Sequence, residues 1–493
     1  MSSGKNDAAN TNKSPRVVII GAGMSGIYVA AECIKKGYDV TVLEKKEEVG
    51  GTWRENTYPG IACDAPAHMY SYNFAPNAEY SNRFADGGEI QHYFKSVASD
   101  YGVRERTRFN QELTECRFID NEWHLQTVTG DNYVADIIFL ATGLLHHPVL
   151  PDIAGMDTFK GASWHTARWN HDIDLTGKKV GIIGTGSTAV QIVGAVVDKV
   201  EHLSVFQRTP QWILPLLNKE YTEDTKIDFR KNPGKMLRLH KIFGWVLENL
   251  LGRAVIGGRF AQWLVQTICR RNLETSIKDP ILREKLRPDY AATCKRLVIA
   301  DKYYDAIQQP QADLIDAGID CIEEQGVRTK DGKLHELDVL VYSTGFNTLA
   351  FMNPAKIYGE NGAELGEKWG KAPYAHRSLT VPDFPNMFTV VGPHSPIGNY
   401  SFVGIVEWQL WHIFSLIEKW QADNHKTFQP KKTACKNYNQ QIVESAKHTM
   451  WAMGGCNSWY LDENGVPLSY PWSLKQYRRE MAQPDFSEYE FSD

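Results

Sequence analysis

The feature that most constrains this chain is a short unit that occurs twice. Val17 to Ile20 reads as a buried strand and runs directly into Gly21-Ala22-Gly23-Met24-Ser25-Gly26. Ile27, Ala30, Ala31 and Ile34 follow at i, i+3, i+4 and i+7, the apolar stripe of a helix that Gly37 ends. A second strand, Asp39 to Leu43, delivers Glu44, 23 positions after Gly21. A G-x-G-x-x-G between a strand and a helix, with a later acid, is the context in which the pattern marks a dinucleotide site rather than an incidental turn. Gly21 permits the tight turn, Gly23 lets backbone approach a pyrophosphate, and Gly26 lets the helix lie close to the strand. Glu44 stands where it would hold a ribose hydroxyl pair.

The unit recurs at Val180 to Ile183, with the turn Gly184-Thr185-Gly186-Ser187-Thr188-Ala189 and a helix that turns Val190, Val193 and Val197 inward. Its second strand, Leu203 to Phe206, ends in Gln207-Arg208-Thr209, so Arg208 stands where the first copy has its acid. An acid there would repel a 2'-phosphate and an Arg would pair with it, so the second site is expected to take NADP rather than NAD. The alternative reading of Arg208 is a solvated charge at a strand end. The closing strands repeat as well, as Asp136 to Thr142-Gly143 and Asp338 to Thr344-Gly345. Gly21 and Thr142 are 121 residues apart, Gly184 and Thr344 are 160 apart, so the second copy carries an insert. Residues 222–292, rich in Leu, Trp, Arg and Lys at helical spacing, fit that insert. Its aromatic, basic face is expected to belong to a helical cap on its own domain, a membrane surface being the alternative.

The expected architecture is α/β, with two Rossmann-like dinucleotide-binding domains, the second nested in the first. A flexible tail spans 1–15, the first domain 16–146 and 384–493, a linker 147–176, and the second domain 177–221 and 293–383. With 493 residues the chain is long enough for this division. A hydrophobic fraction of 42% and a net charge of -5 suit a globular protein and lack the basic footprint of a nucleic-acid binder. The start of the chain lacks a secretory apolar core, and the densest apolar region, 242–268, is broken by Glu248, Arg253, Gly257, Gly258 and Arg259, so a cytoplasmic protein with no membrane span is expected. Eight Cys without a C-x-x-C pair point to free thiols in a reducing compartment and away from a dithiol reductase. Two dinucleotide sites imply a hydride passing from a nicotinamide to a second, retained cofactor, FAD.

Gly50-Gly51-Thr52-Trp53, Tyr58-Pro59-Gly60 and Asp64 resemble the motif G-G-x-W, four residues, Y-P-G, three residues, D of Baeyer-Villiger monooxygenases, flavoenzymes that insert oxygen beside a ketone carbonyl. Phe159, Gly161, His165 and Trp169 resemble that family's F-x-G-x-x-x-H-x-x-x-W signature, with Asn170 where Pro or Asp is usual. Cys294-Lys295-Arg296, Gly392-Pro393-His394-Ser395-Pro396 and Ser458-Trp459-Tyr460 look like further landmarks of the family.

The resemblance implies an NADPH-dependent enzyme in which a deprotonated C4a-peroxyflavin, formed with molecular oxygen, converts a small-molecule ketone to an ester or lactone, with sulfoxidation as a further activity. Arg296 matches the active-site Arg and Asp64 its carboxylate partner. Gly51, Thr52, Trp53, Asp64 and Tyr70 carry over as FAD contacts, Lys295 with Arg208 and Thr209 as the 2'-phosphate grip, Arg296 also as an NADP contact, and Trp459 as a contact to cofactor or substrate. Read alone, Lys295-Arg296 is an exposed basic pair, Asp64 a turn cap, and Trp53 and Tyr70 core aromatics. The signature is read as a hinge between the domains with His165 in a structural part; its spacing does not suit metal ligation. Ile397, Tyr400, Trp451 and Met453 are expected to wall the substrate pocket. The alternatives are a sister flavin-containing monooxygenase acting on soft nitrogen or sulfur, and a non-catalytic nucleotide-sensing flavoprotein.

Overall fold

Each repeated unit becomes the centre of a five-stranded parallel sheet in the computed structural model, which describes residues 14–398, 400–456, 458, 461–462 and 464–493. The first sheet runs Met387–Thr389, Ile137–Leu140, Arg16–Ile20, Asp39–Leu43, Thr107–Arg108. The second runs Ala312–Ile315, His202–Phe206, Lys179–Ile183, Val339–Tyr342, Ala162–His165. Their central strands are almost wholly apolar and buried, as a parallel sheet covered on both faces requires.

The two copies share a device at the strand that closes each unit. The Asp136 carboxylate accepts the backbone N–H of Arg16 at 2.7 Å, and its own N–H donates to the Arg16 carbonyl at 2.9 Å. Asp338 makes both bonds to Lys179, each at 2.8 Å. In each case an acid pins the first residue of the central strand to the strand beside it, which fixes the register between them. A short antiparallel meander precedes the closing strand in both copies, Leu113–Ile119 to Asn132–Ala135 in the first and Ile319–Glu323 to Leu334–Glu336 in the second.

The structure amends three expectations. The signature is not a free linker: Ala162–His165 pairs in parallel with Val339–Tyr342 as the edge strand of the second sheet. The crossings between the units are residues 147–149 and 345–347, zipped antiparallel by Val149 N–H to Gly345 O at 2.9 Å, Asn347 N–H to His147 O at 2.9 Å and a bridge between Pro148 and Phe346. Because the return crossing lies directly after Gly345, the chain rejoins the first unit before residue 384. Lys356–Tyr358 adds to the first unit's meander, and Ile357, Leu365, Trp369 and Phe384 pack in one cluster with Val18 and Ile138.

The insert is helical, as expected, with Glu223–Lys231, Pro233–Leu247, Arg253–Val255, Arg259–Ser276 and Pro280–Lys285. It is not a cap on its own unit alone. Phe229 and Met236 enter the first unit's core, His240 Nδ1 meets the His68 carbonyl at 2.9 Å, and Tyr221 N–H donates to Ser81 O at 2.7 Å. Leu251, Ala254, Val265 and Cys269 form a separate cluster with Trp212, Tyr290 and Cys294. Among the described residues no helix is long and apolar enough to cross a membrane. Residues 1–13 of the expected tail lie outside those described.

Candidate active site

The first glycine turn and the Gly50-Gly51 pair close on each other with no room for side chains. Gly21 has φ +102°, and a Cβ there would stand 2.7 Å from the Ala141 carbonyl oxygen. Gly51 has φ +54°, and its Cβ would be 2.9 Å from the Cα of Gly23. The result is a cradle of bare backbone at the N-terminus of helix Met24–Lys35, the arrangement that takes a pyrophosphate. Gly26 serves packing: a Cβ on it would lie 1.8 Å from the Gly21 carbonyl oxygen, which is backbone and cannot yield. The equivalent residue of the second turn is Ala189, buried without conflict, so the second helix stands further from its turn. Gly26→Ala is therefore expected to yield protein without bound flavin, read as loss of visible absorbance on purification, whereas Ala189→Gly retains it.

Glu44 is buried, and both its oxygens are hydrogen-bonded, one to the glycine turn and one to its own following segment. Oε2 accepts the Ala22 N–H at 2.7 Å and Oε1 the Lys46 N–H at 3.0 Å, while burial raises its pKa. It braces the glycine turn through Ala22. Thr52 and Trp53 open the short helix that follows Gly51, and the Trp53 indole N–H donates to the Tyr70 hydroxyl at 3.1 Å with the rings edge to face.

Tyr58-Pro59-Gly60 is where the two units touch. Tyr58 donates to Gln191 Oε1 at 3.0 Å, Gln191 Nε2 donates to the Ala62 carbonyl at 2.9 Å, and a Cβ on Gly60 would stand 2.7 Å from the Gln191 carbonyl oxygen. The motif thus lays its turn against the helix Ser187–Val196 of the second unit. Four residues on, Asp64 reaches the other unit's Arg296: Arg296 Nη2 donates to Asp64 Oδ2 at 2.6 Å, with both side chains partly exposed. Residues 232 positions apart in sequence meet at this seam.

The second turn is open where the first is closed. Gly184 has φ +116° and lies against the Ser343 carbonyl, but nothing stands within 4 Å of a Cβ on Gly186. Thr185 donates to the Thr209 carbonyl at 2.8 Å, tying the turn to the strand end that carries Arg208. Beyond it lies a cleft of about 440 Å³ lined by Gln207, Arg208, Thr209, Tyr290 and Lys295, with Cys456 at its edge. Arg208 is exposed, and the Lys295 ammonium lies 4.9 Å over the Tyr290 ring. Burial, then the charge of Arg208, lowers the Lys295 pKa. Lys295 feels the positive charge of Arg208 and, more weakly, the negative charge of Asp289, and Asp289 and Asp316 line the same cleft.

One expectation is overturned beside this cleft. Cys294 and Cys456 are not free thiols but form a disulfide with Cα atoms 6.1 Å apart. The partners are 162 residues apart, so their spacing carried no pattern to read. The bridge fastens the residue before Lys295 to the segment that leads toward Trp459, which lies outside the described residues. Cys456→Ser, or a dithiol reductant on the wild type, is expected to cost about 2–4 kcal/mol of stability. It should also raise the KM for NADPH with FAD content unchanged. A melting temperature and KM that neither treatment moves would deny the bridge both effects. The other six Cys are free, five of them buried.

The signature holds the second unit's edge against the first unit. His165 is buried and its pKa is lowered by that burial. Nδ1 accepts the Ala167 N–H at 3.1 Å, which leaves Nε2 to donate to the Gly345 carbonyl at 3.1 Å. The ring is thus a neutral brace on the return crossing. A Cβ on Gly161 would lie 2.4 Å from the Asp338 carbonyl oxygen and 2.5 Å from the Phe159 ring, and Trp169 packs edge-on against Trp164. Arg168 pairs with Glu55 at 2.9 Å, and His171 Nε2 meets Thr57 at 2.7 Å, both across the seam. Asn170, where the usual residue differs, accepts the Asp172 N–H at 3.0 Å and makes its own turn.

Of the expected substrate wall, Ile397 and Trp451 are buried and Tyr400 stacks on Trp408, whereas Met453 points outward and is exposed. In the 392–396 loop, His394 is buried with φ +60° and its pKa is pushed down to about 4 by burial. Its Nδ1 has no hydrogen-bond partner among the described residues.

The flavin-binding monooxygenase-like family description matches residues 14–358. The chain is 40% identical over 481 residues to an uncharacterised monooxygenase of Mycobacterium tuberculosis, covering 97% of each. It is 36% identical over 480 residues to a Baeyer-Villiger monooxygenase of Streptomyces coelicolor, covering 96% of this chain and 92% of that one. The crystal structure of OTEMO in complex with FAD and NADP superposes with a TM-score of 0.86 at 27% identity, over 97% of this chain and all of the other.

Proposed function

Since this chain belongs to the flavin-binding monooxygenase-like family, and within it to the Baeyer-Villiger enzymes, we propose that it inserts one oxygen atom beside the carbonyl of a ketone at the seam where Arg296 meets Asp64. It is an NADPH-dependent oxidoreductase that uses FAD. FAD supplies the reaction of its reduced form with dioxygen, and NADPH supplies the hydride. The residues present suit both groups: the bare backbone at Gly21, Gly23 and Gly51 would hold the flavin pyrophosphate, and Trp53 and Tyr70, bonded to each other, would contact the same cofactor. The open turn at Gly186 takes the NADP pyrophosphate, while Arg208, Thr209 and Lys295 take the 2'-phosphate.

The chemistry asks for a fixed cation where negative charge develops on oxygen as the carbonyl is attacked. Arg296 supplies it, since a guanidinium stays protonated at any working pH, and Asp64 holds the planar group in one orientation. The observation that carries this reading is the 2.6 Å contact between Asp64 and Arg296, one residue from each unit. His165, neutral and with both ring nitrogens occupied, transfers no proton; it positions the second unit.

The test is aerobic turnover with NADPH and a panel from small cyclic to aryl and steroid ketones, with a thioether in parallel, followed by product mass. Ester or lactone from a ketone is the expected outcome. Sulfoxide from the thioether with every ketone returned would replace the reading with soft-atom oxygenation.

A further inference from the structure

The insert presents a surface that the reaction does not use. Residues 234–271 hold seven Lys and Arg and one acid, Glu248, in a chain whose net charge is -5. Helix Pro233–Leu247 buries Met236 and Gly244 against the first unit, where Gly244 faces the Tyr400 hydroxyl. Its other side is open: Trp245 is 66% exposed, Ile242 50% and Val246 41%. The chain turns at Gly257-Gly258, and helix Arg259–Ser276 packs back on residues 248–255. At the start of that helix Phe260 is 74% and Trp263 56% exposed, their rings 5.9 Å apart. Arg238, Lys241, Arg253 and Arg259 are exposed around these side chains and form no ion pair among the described residues.

We infer that this helical hairpin is a docking surface for an anionic lipid bilayer. Exposed Trp and Phe ringed by Arg and Lys are the composition of an element that lies in a membrane interface, the aromatics entering the headgroup boundary while the cations remain at the phosphates. Among the described residues no helix is long and apolar enough to cross a membrane, and the docking proposed is peripheral. A second copy of the chain is the poorer occupant, because a two-fold contact through this face would oppose one set of cations to the same set. The proposal stands apart from the reaction assigned to the site.

The test is co-sedimentation of the full-length holoenzyme with vesicles of phosphatidylcholine alone or with added phosphatidylglycerol, at low and physiological salt. Binding is expected to the anionic vesicles only and to weaken with salt. Trp245→Ser/Phe260→Ser/Trp263→Ser and, separately, Arg238→Glu/Lys241→Glu/Arg259→Glu should each lower the bound fraction roughly tenfold. FAD content and melting temperature should stay unchanged, which separates lost docking from misfolding. Three results would overturn the proposal: no sedimentation of the wild type, equal binding to phosphatidylcholine alone, or a wild-type dimer in sedimentation velocity that the aromatic variant converts to monomer without any lipid binding.

Discussion

Arg296→Ala is expected to abolish ester formation, by about 10²- to 10³-fold or more, while NADPH is still consumed in part and dioxygen is released as hydrogen peroxide. Arg296 is the cation held at the seam by Asp64. Removing it leaves charge development on oxygen without its fixed cation. Arg296→Lys keeps the charge without the planar fork and should recover only part of the rate. Asp64→Asn keeps the shape without the charge and should loosen Arg296 rather than remove it, so its loss should be smaller than that of Arg296→Ala. Product analysis beside NADPH consumption separates these cases, and ester formation at wild-type rate in Arg296→Ala would take the residue out of its role.

The second large effect falls on cofactor choice. Arg208→Ala should weaken discrimination for NADPH over NADH by about 1–3 kcal/mol, the scale of one charge-assisted contact. Arg208 is exposed and its strand-end position costs little to vary, so stability should hold. The burial that lowers the Lys295 pKa points to the same receptor from the other side, and a bound phosphate would relieve its repulsion with Arg208. Lys295→Ala should therefore add to the loss. The ratio of kcat/KM for the two nucleotides reads this directly, and an unchanged ratio in Arg208→Ala would return that residue to a solvated strand-end charge.

What the sequence carries plainly is the local grammar of the two units. Strand, glycine turn and helix are set by neighbours within about twenty residues, and the structure places Arg16–Ile20, Met24–Lys35 and Asp39–Leu43, and their counterparts from Lys179 to Phe206, where the apolar periodicity puts them. What it does not carry plainly depends on distant contacts. Ala162–His165 has no alternation of its own and becomes a strand only because Val339–Tyr342 offers it an edge. The disulfide between Cys294 and Cys456 and the zipped crossings at 147–149 and 345–347 are likewise pairings across the chain, invisible to spacing.

The candidate site divides in the same way. Gly21, Gly23, Gly26 and Glu44 could be assigned from mechanics, though Glu44 turns out to brace the turn through Ala22 as well. Asp64 and Arg296 could not. Alone they read as a turn cap and half of a surface basic pair, and only the resemblance put them together before the 2.6 Å contact did. Gly60 illustrates the remainder: its φ of +79° is the local demand of a Pro-Gly turn, but the close approach of the Gln191 carbonyl comes from the other unit, which no local pattern announces.

The most direct test of the account is a single turnover experiment in isotopically labelled dioxygen, with purified holoenzyme, NADPH and a ketone from the accepted panel. The account predicts an ester or lactone that carries one labelled oxygen, in amount matching the NADPH oxidised, and no product when NADPH is withheld. NADPH oxidised with the ketone recovered unlabelled and unchanged across the whole panel would contradict it.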